Sequence, residues 1–187
     1  SGLTYGFMNT NVVDAQYRAM GLEFPGKPDN LAQWVEQLAS VPLICQPGSQ
    51  WNYSVATDVL GRLVEVWSGQ ELAVFFRERI FGPLGMTDTA FAVAPEQQQR
   101  FAALYAPLSG GDMSSVGSKS SPIVDEPRGG LKLMESSLKS SYFKQPKLCS
   151  GGGGLTGSIG DYAKFCQMLL NGGELNGARL LSPTTVN

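Results

Sequence analysis

Residues 46–69 read QPGSQWNYSVATDVLGRLVEVWSG, in which a Pro-Gly turn leads through an aromatic pair, Trp51 and Tyr53, straight into an apolar run. Val55, Val59, Leu63 and Val66 recur at helical spacing, so the run predicts a helix that starts near Ser54 and stops at Ser68-Gly69. A tyrosine at the first turn of a helix has its hydroxyl near the positive end of the helix dipole, which lowers a phenol pKa. A phenolate can act as a general base where a cation lies nearby. The alternative for Tyr53 is structural: a ring packed in a core, its hydroxyl tied to backbone. The segment alone leaves both open.

Working outward, Ser68 and Glu71 have the spacing of a capping box, which predicts a second helix at once. Leu72, Phe75, Phe76 and Ile80 would be its buried stripe, and the turn Gly82-Pro83-Leu84-Gly85-Met86 would stop it. Two helices joined by so tight a turn form an αα-hairpin, with their aromatic side chains read as core. Upstream, Asn30 caps a helix carrying Leu31, Trp34, Val35 and Leu38 until Pro42, while residues 1–26 read as loop with short helical pieces closed by Pro25-Gly26. Downstream, 101–108 and 131–134 read as strands. Residues 109–121 form a Gly/Ser-rich exposed loop, and 136–141 a second Ser-rich patch. Ser158 and Asp161 form another capping box, ahead of a helix with Tyr162, Phe165, Cys166, Leu169 and Leu170 on one face. Asn171-Gly172-Gly173 ends it. No internal repeat and no domain boundary is visible.

The chain has 187 residues, 42% of them hydrophobic and 16% charged, enough for one globular domain with a real core. A net charge of −2 without any Lys/Arg run argues against nucleic acid as a partner. No stretch approaches a membrane span, and SGLTYGFMNTN at the start has neither the basic nor the apolar region of a signal peptide. Cys45, Cys149 and Cys166 are odd in number and scattered, so they suggest neither a disulfide framework nor a zinc site. Buried free thiols in a reducing, cytoplasmic compartment fit them. The chain has no histidine. A Ser-His-Asp triad, Cys-His catalysis and an HExxH zinc site are therefore excluded within it, and a base must be Tyr, Lys or a carboxylate. No metal and no cofactor is expected.

Two short motifs invite chemistry. Gly152, Gly154 and Gly157 match GxGxxG, with Glu174 about where a ribose-binding acid would stand. A dinucleotide site needs a buried parallel strand before the glycines, and FKQPKLCS supplies Lys and Pro instead. The glycines are better read as a segment passing close to other backbone before it feeds the capped helix. Ser136/Lys139 and Ser141/Lys144 each match Ser-x-x-Lys, in which a Lys of lowered pKa assists a nucleophilic Ser. Both lie among loop signals without the apolar setting such a Lys needs, so they are read as chance matches. The charges at Asp58, Glu65, Glu71, Arg77, Glu78 and Arg79 suit solvated helix faces.

Several longer strings together resemble the serine beta-lactamase-like family, which contains class C beta-lactamases, DD-peptidases and related carboxylesterases. SGLTYG is similar to the segment after the His-Thr of that family's HTSGL string. PGSQWNYSVATDVLGRLVE resembles the stretch carrying its catalytic tyrosine, FFRERIFGPLGMTDTAF its "PLGM-DT-F" segment, and LCSGGGGLTGSIGDYAKFCQMLLNGGELNGARLLSP its Gly-rich strand and following helix. The resemblance implies an α/β, beta-lactamase/transpeptidase-like fold: an antiparallel sheet with a helical subdomain, of which this chain holds mainly the helical part and few strands. Residues 1–187 would be a single partial domain, the middle of such a protein.

In that family a Ser-x-x-Lys serine forms an acyl-enzyme while the Lys and a Tyr move the proton. By position, Tyr53 matches the catalytic tyrosine. Val55 stands where lactamase-type members carry the Asn of Tyr-x-Asn, which resembles the esterase branch and suits an ester with an apolar part. The family's Ser-x-x-Lys lies upstream of HTSGL, so the nucleophile is expected outside this chain, which would be silent alone. The implied partner is a small-molecule ester. Unpaired strand edges invite a further chain, a second copy or a complementing one. The rival readings are a non-catalytic helical module that binds a partner chain, and a beta-lactamase or DD-peptidase.

Overall fold

The computed structural model describes residues 1–23, 27–107 and 130–187; the Pro25-Gly26 turn and the 109–121 loop lie outside them. The N-terminal stretch is more helical than expected. Asn11 caps α1 (Val12–Met20) by accepting from the Val13 and Asp14 N–H groups at 2.9 and 3.0 Å. The Asp14 carboxylate returns to the Asn11 N–H at 3.3 Å. This is a capping box, and Val13 and Tyr17, one turn apart, bury the inner face.

Asp14 is fully buried and also accepts from Thr4 Oγ1 (2.7 Å), Thr10 N (2.7 Å) and Thr10 Oγ1 (3.0 Å). Burial alone would push its carboxyl up, but the bonds from Thr10, Thr4 and Asn11 outweigh it and hold the group below 3.8. A folded-state pKa below the unfolded one stabilises the fold above about pH 4 and loses that contribution as pH falls through the folded value. The thermal midpoint of the wild type should exceed that of Asp14→Asn near neutrality, and the two should converge in acid. A gap that stays constant down to about pH 2 contradicts this assignment.

Helix α2 (Leu31–Ala39) starts where its cap predicts: Asn30 Oδ1 accepts from Gln33 N at 2.9 Å. It buries Leu31, Trp34 and Leu38. Helix α3 (Ala56–Ser68) begins two residues after the expected start, and its face differs from the apolar stripe. Val55, Asp58 and Gly61 point inward while Val66 is 58% exposed. The placement of Asp58 on a solvated face is corrected by this: it is 1% exposed.

The Ser68/Glu71 box does not form. Ser68 Oγ accepts from Gln70 N, and the first N–H of α4 (Leu72–Phe76) is taken by Glu65 of the preceding helix at 3.1 Å. The turn at residues 82–86 stops the helix as expected, at Gly85 and not at the Gly-Pro pair that opens it. The rod continues through a π turn, Arg77–Phe81, into α5 (Gly82–Leu84) and ends at Gly85. Pro83 lacks an N–H, and in a regular α-helix its ring would press on the Arg79 carbonyl. The π turn widens the spacing there, with Gly82 N donating to Arg77 O. Its extra residue rotates the stripe, so Phe81 and Leu84 become the buried pair beside Leu72.

β1 (Leu104–Pro107) and β2 (Leu131–Glu135) pair antiparallel with a bulge at Leu104/Tyr105. Leu104, Tyr105, Leu131, Leu133 and Met134 stay exposed on the pair. Helix α6 (Ile159–Leu170) is capped by Ser158, as its spacing predicts, although Asp161 turns away from the cap to Asp88 N (2.7 Å) and Thr89 Oγ1 (3.0 Å). Asn176 and Gly177, both with positive φ, make the two-residue turn joining β3 (Glu174–Leu175) to β4 (Ala178–Arg179). α7 (Pro183–Val186) follows.

One core cluster gathers Val13, Tyr17, Leu22, Trp34, Leu38, Val41 and Val55. A second holds Phe81, Leu84, Met86 and Met168, and Leu31, Leu72 and Phe91 form a third. The cysteines are free but none is fully buried, and Cys166 is exposed, which corrects the expectation of buried thiols. Among the described residues no helix is long and apolar enough to cross a membrane, and no cluster of His, Cys, Asp or Glu is arranged to hold a metal.

Candidate active site

Tyr53 lies in the extended stretch just ahead of α3, outside the helix but next to its N-terminal end. Two neighbours fix that stretch. Val55 N donates to Thr4 O at 3.3 Å, and Thr4 is itself held by Asp14 at 2.7 Å. The N-terminal clamp thus reaches the residue two places beyond Tyr53.

The Tyr53 ring is 43% exposed and packs against Tyr5, with centroids 5.0 Å apart and planes tilted by 44°. Tyr5 stacks in turn on Phe7 at 4.8 Å. Trp51, two residues before Tyr53 on the extended chain, is 85% exposed. The result is an aromatic face open to solvent. Among the described residues the Tyr53 hydroxyl has no hydrogen-bond partner, and no lysine or arginine is bonded to it. A phenol sealed in a core would be neither exposed nor without a partner, and the cation that a phenolate base needs is not supplied by the described residues.

The two tyrosines are not equivalent. Burial pushes the Tyr5 phenol up to about 12, the nearby Asp58 carboxylate and the Tyr53 phenol push the same way, and the Thr57 side chain beside it opposes them. Tyr5 therefore stays neutral at working pH. It can support the Tyr53 ring without adding a charge to the site.

Behind this face the glycine string crosses α3. A Cβ on Gly151 would lie 2.3 Å from Thr57 O, and one on Gly152 would lie 2.8 Å from Thr57 Oγ1, so only glycine allows the approach. Ser150 Oγ donates to Asp58 Oδ1, and Gly152 N donates to the same oxygen at 3.1 Å. Burial raises the Asp58 carboxyl above 3.8 against the opposing bonds from Ser150 and Gly152. The close-passage reading of these glycines holds.

The other candidates separate from this site. Ser136 Oγ accepts from Leu138 N and Lys139 N in a turn, and Ser141 opens a single 3-10 turn capped by Ser140. Neither Ser-x-x-Lys pair shares an α-helix, and Lys139 and Lys144 are both exposed. Val55 is 1% exposed inside the first core cluster, so its side chain packs the interior and does not shape the open face. A groove of about 620 Å³ runs between the π turn, α6 and β4, past Phe75, Ile80, Phe165 and Leu180, and Tyr53 takes no part in it.

Sequence reasoning missed Tyr5, Asp58 and Ser150. The signal for Asp58 was its place three residues after Val55 and three before Gly61, on the face that turns inward. For Tyr5 no such signal is visible: it precedes the 3-10 turn Gly6–Met8, which brings Phe7 onto its ring.

The beta-lactamase family model matches residues 1–187. The chain is 35% identical over 186 residues to protein Rv1367c of Mycobacterium tuberculosis, covering 100% of this chain and 40% of that protein. It is 36% identical over 140 residues to esterase EstB of Burkholderia gladioli, covering 75% and 34%. Among solved structures, a variant of simvastatin synthase from Aspergillus terreus superposes with a TM-score of 0.66 at 29% identity, over 100% of this chain and 36% of that one. The chain therefore spans less than half of the length of the proteins it matches, 40% of Rv1367c and 36% of the simvastatin synthase variant.

Proposed function

The chain belongs to the beta-lactamase family and shares the beta-lactamase/transpeptidase-like fold, and from that premise we propose that it is the tyrosine-bearing portion of a serine carboxylesterase. Tyr53 is the general base and proton relay. The nucleophilic serine and its lysine lie in sequence outside residues 1–187, and this portion alone is catalytically silent. The observation that carries the reading is the Tyr53 phenol, standing on an open aromatic face beside a helix N-terminus with its oxygen uncommitted.

The reaction follows from that placement. The Tyr53 oxygen acts as a phenolate paired with the lysine that lies outside residues 1–187, and the serine hydroxyl attacks the ester carbonyl as its proton passes to that phenolate. The same proton goes to the departing alcohol, leaving an acyl-enzyme. Water then attacks the acyl carbon, giving its proton to Tyr53, and the serine leaves with a proton returned from it. Residues 1–187 hold no imidazole, and among them the Tyr53 phenolate is the base proposed for this exchange. The exposed rings of Trp51 and Tyr53 favour an ester with an apolar acyl or alcohol part. That preference cannot come from Val55, which lies in the core.

Labelling tests the acyl-enzyme. The protein expressed with its whole reading frame should react with a fluorophosphonate at one serine outside residues 1–187 and lose hydrolysis of p-nitrophenyl butyrate in step. A label on Ser136 or Ser141, or turnover by residues 1–187 alone, overturns the assignment.

A second reading, an interaction module, is supported by the exposed apolar side chains of β1 and β2. Light scattering on residues 1–187, alone and mixed with the rest of the reading frame, separates the two. Complex formation without any esterase activity favours the module.

A further inference from the structure

We infer that Asp58 is a positioning residue for the tyrosine relay, locking the first turn of α3 to the Ser150–Gly152 backbone so that the phenol is held in one place. The inference rests on the reading of Tyr53 as the proton relay.

An acidic side chain that is 1% exposed has no ion-pair partner here among the described residues, which is a costly way to fill an interior position. Its two oxygens are used unequally. Oδ1 accepts from both Ser150 Oγ and Gly152 N, whereas Oδ2 is buried with no partner. An apolar residue would pack the site more cheaply. What it could not do is hold two donors of a segment 92 residues away in sequence against the start of α3.

The hold continues to Tyr53 by contact. Gly151 and Gly152 press on Thr57, the residue before Asp58. The Thr57 side chain lies beside the Tyr5 hydroxyl, and the Tyr5 ring supports Tyr53 at 5.0 Å. Releasing Asp58 frees the segment against Thr57, then Thr57 against Tyr5, and so the support under the phenol. A shift of about 1 Å in a catalytic group costs on the order of a hundredfold in rate.

The test compares Asp58→Ala, Asp58→Asn, Ser150→Ala and Tyr53→Phe in the whole protein, each assayed well below its own melting midpoint on p-nitrophenyl butyrate. Asp58→Ala should lower kcat by about 30- to 100-fold with KM changed by less than about threefold. Asp58→Asn keeps an acceptor at Oδ1 and should recover most of the loss. Ser150→Ala, which removes one donor, should cost roughly fivefold in kcat. A purely structural role would lower the midpoint of Asp58→Ala and leave the kcat of the folded fraction untouched. Should Asp58→Ala not fold, Ser150→Ala decides: wild-type kcat in the folded variant overturns the positioning role. Tyr53→Phe separates the two failures. If it is silent while the Asp58 and Ser150 variants are unimpaired, only the positioning falls; if it retains wild-type kcat, the relay itself is wrong.

Discussion

Tyr53→Phe should lower kcat on p-nitrophenyl butyrate by about a hundred- to ten-thousandfold and leave the fold intact. The size follows from the role: a positioned general acid–base contributes about 10² to 10⁴ to a hydrolytic step. The selectivity follows from the packing. Phenylalanine keeps the ring against Tyr5, and the lost oxygen has no partner among the described residues, so no buried group is orphaned. Stability should then change by no more than about 0.5 kcal/mol, within the range of surface substitutions. The loss should fall on kcat, with KM nearly constant, because the phenol works on the proton in flight. A Tyr53→Phe protein with wild-type kcat would remove Tyr53 from the mechanism, and one that unfolds would show the hydroxyl to be structural.

Trp34→Ala should be the most destabilising single change. The indole is fully buried at the centre of the first core cluster, among Tyr17, Leu22, Leu38 and Val55. Its Nε1–H donates to Leu22 O at 2.9 Å. Truncation empties a ring-sized volume and costs about 3–5 kcal/mol. It also strips a buried carbonyl of a donor, which adds about 1 kcal/mol or more. Against a total stability of about 5–15 kcal/mol for a domain, most of the margin disappears. Urea unfolding followed by far-ultraviolet circular dichroism should show a large drop in midpoint. Trp34→Phe fills most of the space and should lose less than half as much. Equal midpoints for Trp34→Ala and wild type would mean that this cluster does not hold the fold together. The effect should reach the site as well, since Val55 belongs to the cluster and its N–H binds Thr4 beside Tyr5.

Helix starts with an N-cap were legible, but the face expected on α6 was not the buried one: Tyr162 is 67% and Leu170 81% exposed, Cys166 is exposed, and Met168 is buried instead. Asn30 and Ser158 start α2 and α6 where their side chains accept the orphan N–H groups. Legibility failed where the cap came from elsewhere or the period changed. Glu65, not Ser68, serves the first N–H of α4, because a carboxylate on the preceding helix already reaches it. The turn at residues 82–86 stops the helix as expected, but only at Gly85, because the π turn let the backbone pass Pro83. That adjustment also decided which of Phe75, Ile80, Phe81 and Leu84 went inside. Helix α1 is one of the short helical pieces expected within residues 1–26, but its Asn-x-x-Asp capping box was not used to place it. At the site, Tyr53 could be singled out because its string is long and the chain lacks histidine, while Asp58 was misassigned to solvent.

What the amino-acid order determined alone was local: where capped helices begin, and that any base within these residues must be a phenol, an amine or a carboxylate. Such rules act over three or four residues, through caps, dihedral limits and side-chain spacing. The tertiary structure decided which phenol faces out and which is held neutral, and that a carboxylate in an apolar helix would be sealed against a glycine segment 92 residues away. Those outcomes depend on how close two backbones can come, a distance set only when both are in place.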